Sequence, residues 1–163
     1  MDKLSWIKEL VQAEQQMEDA GIVDMTAGFD PDRQLDEATI DFLNDIKLLF
    51  VDAASAFNQL KGSTLGHIRI YGISKTKADF MLFRNGYKLI FNMRHAGLVT
   101  VSYSAAVTHY VPGSNKEETG NQDILKADWG AFGQLNWTYN GSPIQMDYLV
   151  RYYMSRFVRD SAK

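Results

Sequence analysis

The hydrophobic period of this chain switches from helical to alternating after Lys61. Up to Lys61 apolar residues recur at three- and four-residue steps, and from His67 to Tyr139 they recur mainly at every second residue. Helices grouped ahead of strands predict an α+β domain, with helices on one face of an antiparallel sheet, and disfavour alternating βαβ units.

In the first block Trp6, Leu10, Ala13, Met17 and Ala20 mark a helix over about residues 3–20. Leu4, Ile7 and Val11 widen its apolar face, and Gly21 stands where it should stop. Residues 22–34 mix Gly28 and Pro31 with Ile22, Val23, Met25 and Phe29, which predicts a connection packed on the core. A longer helix follows over about 35–61, carried by Leu43, Ile46, Phe50, Ala53, Phe57 and Leu60, with Asp41, Asp45, Asp52, Ser55 and Gln59 on the other side. Its seam spacing also admits pairing with the first helix or with a second copy of the chain, so a homodimer belongs among the expected assemblies.

The alternating block reads as a meander of about five strands over about 66–139. His67 to Tyr71 and Asp79 to Arg84 are the first two, and Asn85-Gly86 turns the second into Tyr87 to Arg94. His95-Ala96-Gly97 turns the chain into Leu98 to about Val111, a polar loop is expected from Pro112 to about Asp123, and Ala131 to Tyr139 completes the sheet. A C-terminal helix is expected over about 143–160, with Ser142 as N-cap, Pro143 at its first position and Gln145 completing a capping-box spacing. Met146, Leu149, Val150, Tyr153, Met154, Phe157 and Val158 form its core-facing stripe. At 163 residues one core is sufficient, so the prediction is a single two-layer α+β domain over 1–163.

Charge is distributed unevenly behind a net value of −3. Residues 1–61 hold thirteen acids against five bases, residues 62–99 hold six bases against Asp79 alone, and the remainder balances. Acidic helices and a basic sheet follow. On the sheet, Arg69, Lys88 and Arg94 alternate with apolar positions and are expected on the solvent face, where they would attract an anionic partner. The competing reading is that helix acids simply face sheet bases within one molecule. The last helix carries a second stripe, Tyr148, Tyr152, Arg156 and Arg159, off its core-facing side; Tyr and Arg there are the residue types of interface hot spots.

Catalytic signatures are missing from the sequence. The chain has no Cys, no Gly-x-Ser-x-Gly elbow, no His-Glu-x-x-His and no phosphate loop. Asp30, Asp32 and Asp36 resemble the start of a calcium loop, but Leu35 stands where Gly is required and Asp41 where Glu is required. His67, His95 and His109 lack metal-ligand spacing, and Glu117-Glu118 lies in a loop too wet to raise a carboxyl pKa. No metal and no cofactor are expected. No apolar run reaches the length of a membrane span, and the first residues carry no export signal, which predicts a cytoplasmic protein. The leading expectation is a non-enzymatic intracellular protein-binding or adaptor domain whose partner is another, acidic protein. A receptor for a small anionic ligand or nucleic acid on the basic sheet is the second, and an enzyme with a dispersed active site is the third.

Overall fold

Gly21 adopts the left-handed conformation (φ 65°) and donates its N–H to the Met17 carbonyl, which closes helix α1 at Ser5–Ala20. The computed structural model describes residues 4–21, 31–105 and 122–162. The expected packed connection over 22–30, the extension of a strand from 106 to Val111, most of the Pro112–Asp123 loop, His109 and Glu117-Glu118 lie outside the described residues.

Helix α2 runs from Pro31 to Lys61, four residues longer at its start than the sequence periodicity predicts. Proline suits the first turn of a helix because its missing N–H has no intrahelical acceptor to lose. Seven strands follow: β1 (Arg69–Gly72), β2 (Phe80–Arg84), β3 (Tyr87–His95), β4 (Leu98–Ala105), β5 (Asp123–Trp129), β6 (Leu135–Tyr139) and β7 (Ser142–Pro143). They form one antiparallel sheet in sequential order, and helix α3 (Met146–Asp160) ends the fold. The α+β architecture predicted from the change of period is therefore the observed one, with seven strands in place of about five.

The two additional strands have physical explanations. Asp123 faces the core side of β5 beside buried Leu125, while Ile124 on the same strand is exposed, so the polarity of the expected alternation is inverted at its first two positions. At β7, Asn140 and Gly141 both take positive φ (50° and 82°), the geometry of a tight hairpin turn, and Ser142 and Pro143 pair back onto Tyr139 and Thr138. Ser142 is therefore not the N-cap of the last helix. Helix α3 begins three residues later than expected, with Gln145 in extended conformation at its N-cap and no side-chain cap.

Helices α2 and α3 lie on one face of the sheet. Phe50 of α2 packs against the stacked Phe80 and Phe91, ring centroids 6.0 and 5.1 Å away, and Tyr153 of α3 meets Phe91 edge-on at 5.7 Å. Phe42 stacks on Trp137 at 4.0 Å, which fastens α2 to β6. Polar ties fix the ends: the Asn58 side chain bonds both the N–H and the C=O of Ile68, and Thr39 Oγ1 accepts from Gly97 N. Leu43, Ile46 and Phe50 of the α2 seam are thus buried in the core while Leu60 is exposed, and no described α1 residue belongs to the buried core. Trp6, Ile7, Leu10 and Val11 of α1 are exposed, and Glu9 to Arg33 (2.6 Å) ties the helix to the start of α2.

Candidate functional site

The strand registers sort the sheet into rows. Ile70, Leu82, Leu89 and Tyr103 form one row on the helix-covered side, and Gly72, Phe80, Phe91, Val101 and Asp123 form another. Between them, on the opposite face, lies the row Tyr71, Met81, Ile90 and Ser102; beside it lies Arg69, Phe83, Lys88 and Ser104. Tyr71 is exposed, Met81, Phe83 and Ile90 are partly buried, and none of the four joins the core cluster. The second face therefore carries an apolar and aromatic strip with a base at either side of Phe83.

Of the bases expected on this face, Arg69 and Lys88 are exposed, share one cross-strand row, and make no ion pair among the described residues. Arg94 sits in a β-bulge between Met93 and His95 and donates to Gln122 Oε1 at 3.2 Å, so it stands apart from that row. The competing reading of internal charge balance holds at Lys77, whose ammonium pairs with Asp36 of α2 at 2.9 Å.

The stripe on α3 divides. Tyr148 and Tyr152 are 63% and 57% exposed, and Arg159 is exposed beside them. The Arg156 side chain keeps 41% of its surface exposed while its guanidinium lies 4.6 Å over the Tyr103 ring and its Nε 3.7 Å from Asp160. Arg151, outside the expected stripe, is exposed as well and lies 5.4 Å over the Tyr148 ring.

Beneath this stripe is a group the sequence did not announce. The Asp123 carboxylate accepts from Tyr153 Oη (2.8 Å) and Tyr139 Oη (3.3 Å), joining β5, β6 and α3. Burial and then the neighbouring Asp123 carboxylate push the Tyr153 hydroxyl well above the ordinary phenol range. Burial does the same to Tyr103, whose hydroxyl has no hydrogen-bond partner among the described residues. The Asp123 charge, then burial, raise Tyr139. The two phenols that donate to Asp123 tie β6 and α3 to β5.

Among the described residues, no group of three or more His, Asp or Glu side chains is placed to hold a metal ion, and no ion pair joins His67 or His95 to a carboxylate. No described helix is long and apolar enough to cross a membrane. Comparison with known proteins finds no matching family model, no matching curated protein and no matching solved structure.

Proposed function

We propose that this domain binds a partner protein through the face of the sheet opposite its helices, and that the segment it takes is acidic and amphipathic. One observation carries the reading: the Tyr71, Met81 and Ile90 strip runs beside Arg69, Phe83 and Lys88 on a face that α2 and α3 leave open. Apolar and aromatic side chains supply desolvation, and unpaired bases at the side of the strip select negative charge and speed encounter. The overall charge of −3 favours a local patch over a general attraction to polyanions, which supports protein over nucleic acid as the partner. Tyr148 and Tyr152 are the exposed anchors of a second contact surface on α3. Under this reading the protein is an adaptor and does no chemistry of its own.

The test is capture from a native extract by the wild-type chain, by Arg69→Glu with Lys88→Glu, and by Tyr148→Ala with Tyr152→Ala. The charge reversal is expected to abolish capture of the partner at low salt while leaving the melting temperature within about 2 °C, because exposed substitutions cost under about 0.5 kcal/mol. Capture that survives the charge reversal and is lost with the tyrosines assigns binding to α3 instead.

A further inference from the structure

Arg84 is only 4% exposed, yet no carboxylate pairs with it among the described residues. Its Nε donates to Gly66 O (2.8 Å), and its Nη1 donates to Val158 O (3.0 Å) and Ser161 Oγ (3.1 Å). Val158 and Ser161 belong to the C-terminal turn of α3, where the helix dipole offers about half a negative charge, so the guanidinium is compensated in part. Nη2 donates to no described residue and faces a cleft.

A second cation enters the same place. Lys61, the last residue of α2, stacks on the Phe57 ring with its Nζ 5.8 Å from the centroid, and the Arg84 guanidinium lies 5.2 Å from that centroid. Gly66 (φ 76°) leaves the space between them open: the point where a Cβ would stand is 3.5 Å from both Arg84 Nη2 and Lys61 Nζ. The cleft, about 370 Å³, is lined by Lys61, Ser63, Leu65, Gly66, Arg84, Asn85 and Ala162, with no acid among them. Two full positive charges converging on one point repel each other, and half a dipole charge does not offset them. An anion would.

We infer that this cleft is an oxyanion site, which takes a phosphate group, either free or as the monoester of a small molecule. Arg84 Nη2 supplies two donors already fixed by the bonds of its other nitrogens, Lys61 supplies a movable charge, and the Ser63 hydroxyl and the Asn85 side chain stand at the wall. The site lies at the β2–β3 turn and the ends of α2 and α3. It is independent of the sheet face proposed above.

The experiment is thermal unfolding and ³¹P NMR titration of the full chain with sodium phosphate and with phenyl phosphate, against sodium chloride at matched ionic strength. Wild type and Lys61→Arg are expected to show a saturable rise in melting temperature. Lys61→Met, an exposed change that leaves the Arg84 bonds intact, is expected to need at least about tenfold more phosphate for half-saturation. Arg69→Glu with Lys88→Glu is expected to titrate as wild type. Tighter binding of phenyl phosphate than of phosphate identifies a monoester as the ligand form, and the reverse order identifies the free anion. No rise beyond the chloride control, equal titration of Lys61→Met and wild type, or loss of the effect on charge reversal of the sheet each overturns the inference.

Discussion

Among the described residues Asp123 is the acid to which two phenols donate, and burial, with the Asp123 carboxylate second at Tyr153, explains the alkaline behaviour expected of the fold. In the unfolded chain a tyrosine gives up its proton near pH 10, whereas Tyr153 and Tyr103 in the folded state keep theirs to higher pH. The folded state therefore binds more protons than the unfolded state above that point, so stability is fully present below pH 10 and falls as pH rises beyond it. Chemical denaturation from pH 8 to 11 is expected to show this decline, and Tyr153→Phe is expected to make it shallower. An unchanged slope contradicts the assignment. Tyr103→Phe separates burial from bonding: its hydroxyl has no partner to lose among the described residues, so the variant is expected to match or exceed wild-type stability, since a buried unpaired hydroxyl costs about 1–3 kcal/mol. At this scale the sequence was partly legible. Tyr153 lies in the core-facing stripe the periodicity marked, but Asp123 looks like the end of a polar loop, because nothing in a one-dimensional pattern signals that a carboxylate points inward toward phenols on β6 and α3.

Helices and hairpins separate into those the core needs and those it does not. Phe50→Ala on α2 removes the ring packed against Phe80 and Phe91 and is expected to cost about 3–5 kcal/mol in denaturant unfolding. Trp6→Ala with Leu10→Ala on α1 is expected to change stability by under about 0.5 kcal/mol, because those side chains are exposed; a loss near that of Phe50→Ala would mean that α1 is part of the folding unit. The β6–β7 turn gives an intermediate case. Gly141 stands at φ 82°, where a Cβ adds about 1–2 kcal/mol of strain, so Gly141→Ala is expected to lose about that much without changing the fold. Element type followed the sequence wherever one period ran long, as in α2, β3 and α3. Short elements did not, because Ser142-Pro143 is equally good chemistry for a helix start, and only the positive φ of Asn140 and Gly141 decides for a strand.

Across the whole molecule, the separation of acidic helices from a basic sheet was visible in the order of charges along the chain, and the sheet face opposite α2 and α3 keeps Arg69 and Lys88 exposed. What the order of charges could not give is the row they share, which depends on register, or the burial of Arg84. Helices on one side and an open, base-flanked apolar strip on the other make a two-sided molecule whose open side is the one proposed to meet a partner. The most direct measurement is hydrogen exchange on the captured complex against the free chain. The account predicts added protection concentrated in β1, β2 and β3, lost in parallel with binding as salt is raised and absent in the Arg69→Glu, Lys88→Glu chain. Protection confined to α1 or α3, with β1 to β3 exchanging as in the free chain, would contradict it.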